Sequence, residues 1–193
     1  MAGALIFKYR LMSKMVEVKY SLGDKVKRVL WSMIYNLLVR PWPRRSMRRL
    51  HIVLLRLFGA KVDSTAVIYS SAKVLIPWNL VMEAHSTLAD RVYVENSTMV
   101  HLKTYSIVSQ DCYLCTGSHD IWTKKFTAKS APITIGERAW VAARSFIYPG
   151  VKIGDGAVVS AASVVMRNVK PWKIVSGNPA QEIGEREIED LND

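Results

Sequence analysis

Residues 135–170 read, in consecutive blocks of six, IGERAW, VAARSF, IYPGVK, IGDGAV, VSAASV and VMRNVK. The first position of every block is aliphatic, and the fifth holds only Ala, Ser or Val. A repeat of six residues is typical of a parallel β-helix, in which each block forms one short strand and a turn. This stretch therefore predicts the fold of the chain.

The same frame extends toward the N-terminus. Spacing is six residues within each triplet of blocks and eight between the triplets, so short insertions recur at the same point. Three blocks close one triangular coil, and about five coils would stack at about 4.8 Å. The first residue of each block points inward, and the fifth lies near a corner where a small side chain fits. The earlier first positions are Val62, Ile68, Val74, Met82, Leu88, Val94, Leu102, Val108 and Leu114.

Five further stretches narrow the family: LLRLFGAK at 54–61, PWNL at 77–80, YLCTGSHD at 113–120, WVAA at 140–143 and GNPA at 177–180. With these, the chain resembles the hexapeptide-repeat acyltransferases of the maltose and galactoside O-acetyltransferase type. The resemblance is greatest to the colanic-acid biosynthesis acetyltransferases of polysaccharide gene clusters and covers about residues 50–183. It implies an all-β fold, a left-handed parallel β-helix with an N-terminal helical cap.

Charge and periodicity divide the chain into three parts: a basic helical segment at 1–60, the repeat at 61–170 with an excursion at 120–134, and a tail at 171–193. The formal net charge is +11. Residues 1–60 hold thirteen Lys and Arg against two acidic residues, so this segment carries the whole excess. The tail is acidic after residue 181, and we expect it to be loosely packed.

Two helices are predicted in the basic segment. The first follows the cap candidates Ser21 and Asp24 and ends before Pro41, and the second spans about residues 46–58. A loose helical pattern also covers residues 4–20. One interpretation is that the helices cap the open end of the prism; another is that the basic segment also rests on anionic lipid. The first helix carries an apolar stripe of Val26, Val29, Leu30, Met33, Ile34, Leu37 and Leu38.

Several classes of protein are disfavoured. The basic segment lacks a nucleic-acid recognition motif, so we expect no nucleic-acid partner. No apolar run approaches the about 20 residues of a membrane span, and no signal peptide precedes a cleavage site. We therefore expect a cytoplasmic protein, peripheral at the inner membrane face if the basic segment binds lipid.

His119 is the candidate catalytic residue. It stands where the repeat opens into the excursion, and histidine is the usual general base near neutral pH. The resemblance assigns it the removal of a proton from a sugar hydroxyl as the oxygen attacks an acetyl thioester, followed by return of the proton to the leaving thiol. Transfer would be direct, without an acyl-enzyme.

The resemblance also implies acetyl-CoA as the acyl donor and co-substrate. The small residues would let the pantetheine arm run along the coil edge, and the arginine could meet a phosphate; ordinary hexad packing is the alternative explanation. Gln181 stands where the family has an arginine, and Arg167 where it has a lysine, which leaves the phosphate contacts open. The candidate cofactor-binding residues are Trp140, Ala143, Ala161, Met166 and Arg167.

On the acceptor side, Asn96 matches a substrate-binding asparagine of the family, although an asparagine at a corner turn is the alternative. We interpret His51, His85 and His101 as structural and expect no metal. Cys112 and Cys115 form an isolated C-x-x-C, whose side chains would point to opposite faces of a strand. The resemblance further implies a homotrimer with sites between adjacent prisms.

The sequence predicts an O-acetyltransferase that acts on a sugar hydroxyl in surface-polysaccharide assembly. One alternative is an N-acetyltransferase that acts on a nucleotide-linked amino sugar, because such enzymes use the same prism. Another is a non-catalytic β-helix that binds partners or membrane through its basic segment.

Overall fold

The computed structural model describes residues 15–41 and 47–188. The helices are α1 (Leu22–Ile34), which continues as a π-helical turn at Tyr35–Val39, and α2 (Arg48–Leu57); a 3-10 turn spans Pro77–Asn79. The strands in chain order are β1 (Val16–Glu17), β2 (Lys61–Val62), β3 (Val67–Ile68), β4 (Lys73–Val74), β5 (Leu80–Met82), β6 (Thr87–Leu88), β7 (Tyr93–Glu95), β8 (Val100–Leu102), β9 (Ile107–Val108), β10 (Tyr113–Cys115), β11 (Gly117–His119), β12 (Ala128–Ser130), β13 (Ile133–Ile135), β14 (Trp140–Val141), β15 (Phe146–Ile147), β16 (Lys152–Ile153), β17 (Val158–Val159), β18 (Val164–Val165), β19 (Lys173–Gly177) and β20 (Ala180–Glu185).

Most of these strands form three sheets, one on each side of a prism. The first sheet contains β2, β5, β8, β13 and β16; the third contains β4, β7, β10, β15 and β18. The second contains β3, β6, β9, β14, β17 and β19, with β20 added at its end. The chain visits the three sheets in turn with parallel pairing, so the predicted parallel β-helix of hexapeptide repeats with a helical cap is confirmed.

The interior of the prism is built from the first position of each block. Val62 pairs with Met82, and Leu102 with Ile135, each first position lying over the next in the sheet register. All of these side chains are buried. Burial of apolar surface contributes about 25 cal/mol per Å², so the continuous aliphatic stack stabilises neighbouring coils against each other.

The prism contains five complete coils and part of a sixth, one more than the hexads indicated. Val169 forms a bridge with Ile153, and β19 pairs in parallel with β17. β19 then turns into β20, which runs antiparallel to it. Residues 182–185 of the tail thus belong to β20, where all four are exposed, and residues 189–193 lie outside the described part of the chain.

The corners of the prism use a left-handed backbone at the fourth position of many blocks. Ala162 has φ 57° and Arg138 has φ 53°, and glycine stands at this position only in Gly150 and Gly156 among the left-handed corners. A left-handed conformation costs a residue with a Cβ about 1–2 kcal/mol. The packed aliphatic stack offsets that cost at each corner.

The helical segment covers the first coil. Ser21 caps α1 in a capping box, its Oγ accepting from the Asp24 amide at 3.0 Å. On the packed face of α1, the Trp31 indole donates to the Val74 carbonyl at 2.7 Å and the Tyr35 hydroxyl to the Ser70 carbonyl at 3.3 Å. α2 adds buried apolar contacts to the same end. These contacts close the interior that the first coil would otherwise expose.

The apolar stripe of α1 is not the face that packs on the prism. Trp31, Tyr35 and Val39 are buried, and the stripe lies on the opposite side of the helix. Nearly all of its members face outward because the larger aromatic side chains fill the end of the prism. The exposed apolar residues of the helical segment are Leu22, Val26, Val29, Leu30, Met33, Leu37 and Leu38, together with Leu50, Val53 and Leu57 of α2.

The excursion is a β-hairpin that also binds the start of the described chain. β11 and β12 pair antiparallel, and β1 pairs with the other edge of β12. The chain returns to the first sheet at β13, slightly earlier than the sequence indicated. Residues 15–20 thus hold a strand where a loose helical pattern was predicted, while residues 4–14 lie outside the described part of the chain.

Candidate active site

His119 ends β11, the strand that leaves the prism directly after β10. It therefore projects from the corner between the third and first sheets, at the level of the third coil. Its side chain is exposed, whereas Thr116 at the base of the strand is buried and bonds to the Glu95 carbonyl at 3.0 Å. A rigid coil thus presents an accessible imidazole.

The contacts of the ring fix its tautomer. His119 Nδ1 lies 3.1 Å from the Phe126 carbonyl oxygen. Because a peptide carbonyl only accepts, Nδ1 carries the proton, and in the neutral ring Nε2 is left with a lone pair. The rings of His119 and Phe126 also stack, with centroids 4.5 Å apart and planes inclined by 9°. The imidazole is thereby oriented to accept a proton at Nε2.

The loop that supplies the Phe126 carbonyl is closed at its base. Asp120, nearly buried, forms an ion pair with Lys129 at 2.7 Å and accepts from the Trp122 amide at 3.1 Å. The Asp120 amide donates to the Thr127 carbonyl at 2.8 Å. These bonds hold residues 120–127 as a compact turn over the His119 ring.

Glu95 supports the start of the same strand, and it was not found by sequence reasoning. Its Oε2 accepts from the Gly117 amide at 2.7 Å, and its Oε1 from the Ser97 hydroxyl at 2.6 Å. A Cβ at Gly117 would lie 2.8 Å from Glu95 Oε2, so a larger residue here would displace the carboxylate. The sequence contained one signal that could have pointed to Glu95: it is a single carboxylate within a strand of the repeat, one coil before His119.

Asn96 joins two coils. Its Oδ1 accepts from the Ile76 amide at 2.9 Å, and its Nδ2 donates to the Ile76 carbonyl at 2.7 Å. The residue is fully buried, and Asn79 donates to its carbonyl at 3.1 Å. In this structure Asn96 thus positions the corner beside Glu95, as the corner-turn alternative expects, while its role in binding an acceptor stays a prediction.

Trp140 lies on the second sheet and lines a groove of about 700 Å³ together with Tyr105, Ile107, Ala139, Arg138, Arg186 and Ile188. Its indole donates to the Ser109 hydroxyl at 2.9 Å. The groove combines an apolar floor with two guanidinium groups. Neither arginine was selected from the sequence, because Arg138 is an ordinary hexad residue and Arg186 follows the repeat.

The other candidate cofactor residues fall on two edges of the prism. Ala143 and Ala161 occupy equivalent positions in adjacent coils at the corner after the second sheet, where the Ala162 amide donates to the Ala143 carbonyl at 2.9 Å. Met166 and Arg167 follow β18 and share the corner of the His119 hairpin, two coils further on, which is about 10 Å. One chain therefore places His119 on the same edge as Met166 and Arg167, whereas Trp140, Ala143 and Ala161 lie elsewhere on the prism.

The remaining histidines make contacts within the fold. His51 is buried against Trp31, with ring centroids 6.2 Å apart, and burial lowers its pKa to about 4. His85 stacks on Tyr105 with centroids 4.7 Å apart. His101 Nε2 lies 2.7 Å from the Glu83 carboxylate. Within residues 15–41 and 47–188, no group of three or more His, Cys, Asp or Glu is arranged to hold a metal ion.

The two cysteines are free thiols. Cys112 is buried and donates to the Ala142 carbonyl at 3.1 Å, whereas Cys115 donates to the Gly117 carbonyl at 3.2 Å. Burial raises the pKa of each thiol to about 11. Because the thiolate is the reactive species, both residues act as packing side chains at neutral pH.

Comparison with known proteins gives a consistent result. Residues 132–167 match the bacterial transferase hexapeptide family (six repeats). A protein of Escherichia coli (strain K12), assigned to colanic acid biosynthesis as an acetyltransferase, is 38% identical over 164 residues, which are 85% of this chain and 90% of that protein.

Solved structures share the fold. A maltose O-acetyltransferase from Clostridium difficile 630 superposes with a TM-score of 0.77 at 18% identity, over 94% of this chain and 97% of that one. A hexapeptide-repeat acetyltransferase from Vibrio cholerae O1 biovar eltor, solved with acetyl coenzyme A, gives 0.76 at 20% identity, over 92% and 98%. At these identities the likeness concerns the fold.

Proposed function

The chain belongs to the hexapeptide-repeat acetyltransferases, and we propose that it transfers an acetyl group from acetyl-CoA to a hydroxyl group of a sugar during surface-polysaccharide assembly. The observation that carries the proposal is the fixed tautomer of His119. An exposed imidazole with Nδ1 bonded to a carbonyl and Nε2 free to accept is the arrangement that a general base requires.

Acetyl-CoA supplies an activated acetyl thioester. The groove beside Trp140 fits such a molecule, since its apolar floor suits the pantetheine arm and Arg138 and Arg186 suit phosphates. Met166 and Arg167 lie on the His119 edge and would meet the same ligand. Ala143 and Ala161 present small side chains that allow close approach to the coil edge.

In the reaction, His119 Nε2 accepts the proton of the sugar hydroxyl while the hydroxyl oxygen forms a bond to the carbonyl carbon of the acetyl group. The carbon–sulfur bond breaks, and the imidazolium returns the proton to the departing thiolate. Glu95 and the Phe126 carbonyl do not touch the reacting atoms. Glu95 holds the start of β11 in place, and the Phe126 carbonyl holds the His119 ring. Since a misplaced base loses much of its effect, this positioning is part of the rate.

A homotrimer is part of the proposal. The candidate residues do not share one edge of the prism, so a site that uses all of them needs the His119 edge of one copy to face the Trp140 side of a second. Closed three-fold symmetry satisfies this requirement at three equivalent interfaces. The exposed Ile121, Trp122 and Phe126 on the hairpin would be covered in such an assembly.

The proposed setting is the cytoplasm, with contact at the inner membrane face through residues 1–60. The structure has no helix, among the residues it describes, that combines the length and apolarity needed to cross a bilayer. The segment nevertheless carries the excess positive charge of the chain. Peripheral contact with anionic lipid is consistent with both features.

Thiol release from acetyl-CoA, measured across neutral sugars and nucleotide-linked amino sugars, tests the proposal. We expect release that depends on a hydroxyl acceptor and falls at least about 10²-fold in His119→Ala. The matched control is His101→Gln, which removes an imidazole bonded to Glu83 and should retain activity. Transfer to amino groups alone would support the N-acetyltransferase alternative, and acetyl-CoA binding without turnover on any acceptor class would contradict the proposed function.

A further inference from the structure

The outward face of α1 is an apolar strip on an otherwise charged segment. Leu22, Val26, Val29, Met33 and Leu37 recur at helical spacing and are 55–78% exposed. At 1.5 Å rise per residue, the strip is about 23 Å long. Contiguous apolar surfaces of this size mark interaction sites on soluble proteins. The packing of the cap leaves this strip available, because Trp31 and Tyr35 already fill the end of the prism.

Basic side chains border the strip. At about 100° per residue, Lys25 and Lys27 project on opposite sides of it, and both are exposed. Arg40 follows the helix, and Arg48 and Arg49 are exposed at the start of α2. Asp24 is the only acidic residue of α1, and its carboxylate is engaged in the capping box with Ser21. An apolar strip with cationic borders is complementary to a bilayer interface, where acyl chains lie beneath anionic headgroups.

Charge also decides between a bilayer and a second copy of the chain. A symmetric contact through this face would bring two segments together, each with thirteen Lys and Arg against two acidic residues. Like charges placed opposite each other oppose such a contact. An anionic bilayer attracts the same residues at about 1 kcal/mol each near the surface.

The position of α1 on the fold suits this role. The helix covers the first coil, at the end of the prism, while the His119 hairpin leaves at the third coil. Two coils correspond to about 10 Å along the prism axis. In a three-fold assembly of parallel prisms, the three caps would lie at the same end and bind one surface together, which multiplies their affinity.

We propose that the outer face of α1, with Lys25 and Lys27 at its borders, is a docking surface for an anionic phospholipid bilayer. The inference rests on the proposed membrane partner and identifies the residues that make the contact. The apolar strip enters the headgroup boundary, and the lysines meet lipid phosphates. The His119 site is then held beside the bilayer.

Flotation of the full chain with vesicles tests the proposal. We expect the protein to float with phosphatidylcholine vesicles that contain phosphatidylglycerol, less with phosphatidylcholine alone, and less at about 1 M than at about 0.1 M salt, where the Debye length is longer. Val29→Glu should lower the vesicle partition coefficient at least about tenfold, since it places a carboxylate in the strip. Val29 is 61% exposed, so the substitution leaves the packed face of the cap intact.

Ile183→Glu is the matched control, because Ile183 is 64% exposed on β20, at the opposite end of the prism. It should float like the wild type. Absence of flotation of the wild type with anionic vesicles, equal flotation of Val29→Glu, or equal loss in both variants would overturn the proposal. A fall in molar mass of Val29→Glu by light scattering, with vesicle binding unchanged, would assign the face to a second copy and overturn it too.

Acetyl transfer to a soluble sugar, measured on the same preparations, separates the two proposals. Val29→Glu should transfer acetyl groups at the wild-type rate while losing flotation. Inactivity of the wild type on every acceptor would contradict the proposed function, whereas the flotation results would still decide whether the bilayer binds this face.

Discussion

The ring of His119 stacks on the ring of Phe126 with centroids 4.5 Å apart, and the Phe126 carbonyl oxygen lies 3.1 Å from His119 Nδ1. A single loop residue therefore sets both the plane of the imidazole and the position of its proton. Phe126 has φ 45°, so the loop backbone is held in the left-handed region to make these contacts.

The stacking contact should be separable from the hydrogen bond. Phe126→Leu keeps the backbone carbonyl but removes the aromatic face. We therefore expect kcat to fall about tenfold, while KM for acetyl-CoA changes by less than about twofold. Phe126→Tyr retains the face and should restore the rate. Steady-state kinetics on both variants measure this; equal kcat in wild type and Phe126→Leu would contradict a positioning role for the ring.

Glycine at 117 should be tied to Glu95. Gly117→Ala places a methyl group 2.8 Å from Glu95 Oε2 and displaces the carboxylate, so the Gly117 amide loses its acceptor. We expect the free energy of unfolding to fall by about 1–3 kcal/mol. Urea denaturation measures it, with Gly184→Ala as control because a methyl group at that position would meet no other group within 4 Å.

A double-mutant cycle identifies the cause of that loss. In Glu95→Ala the obstructing carboxylate is absent, and adding Gly117→Ala should then cost less than it does in the wild type. Strict additivity of the two free-energy changes would show that the glycine is required for another reason.

The buried His51 should make the cap sensitive to acid. Burial lowers its pKa from 6.5 to about 4, so the unfolded chain takes up a proton on His51 between these values while the folded chain does not. The free energy of unfolding therefore falls as the pH is lowered through this window, by about 3 kcal/mol in total. Tyr35 packs beside the ring, and its phenol does not titrate in this range.

Denaturation of the wild type and of His51→Leu at a series of pH values isolates this contribution. Leucine fills a similar volume and does not titrate, so the variant should lose less stability on acidification between pH 6.5 and about 4. Parallel curves for the two proteins would show that His51 does not contribute.

Ala162 should gain stability on replacement by glycine. It adopts φ 57° at an exposed corner and has no side chain beyond Cβ to lose. Ala162→Gly is therefore expected to raise the free energy of unfolding by about 1 kcal/mol. Ala161→Gly, at the neighbouring exposed residue with a negative φ, should not raise the free energy of unfolding. A lower Tm for Ala162→Gly than for the wild type would refute the assignment of strain to this corner.

The sequence predicted the repeat but not all of its extent. The inward positions are apolar in every complete coil, so the period can be recognised in a single sequence. The sixth coil was not predicted because Val169 follows Val165 by four residues rather than six. Val175 then follows Val169 at the regular spacing of six. A count in fixed blocks of six does not recognise that shortened step.

The helical cap shows a different gap between sequence and structure. Periodicity predicted a helix after Ser21, but a stripe of aliphatic residues does not tell which side of a helix is buried. Trp31 and Tyr35 each bury a large ring and make a hydrogen bond to the first coil, and these contacts decided the orientation.

At the candidate site, the sequence pointed to the histidine but not to the residues that contact it. The contact that fixes His119 is made by the carbonyl of Phe126, and every residue has a carbonyl, so no residue type marks it. Glu95 is brought under Gly117 only by the stacking of one coil on the next. Residues that work through the backbone or across coils need the fold before they can be recognised.

The pairing of β1 with β12 has a consequence for biosynthesis. Val16 meets Ser130, a partner that the ribosome adds more than a hundred residues later. The strand that flanks the His119 hairpin is therefore among the first parts of the described chain to be made, and it cannot pair until residues 128–130 have been added. The sheet around the His119 hairpin is therefore completed late in synthesis, and a tag fused close to Val16 would lie next to that hairpin.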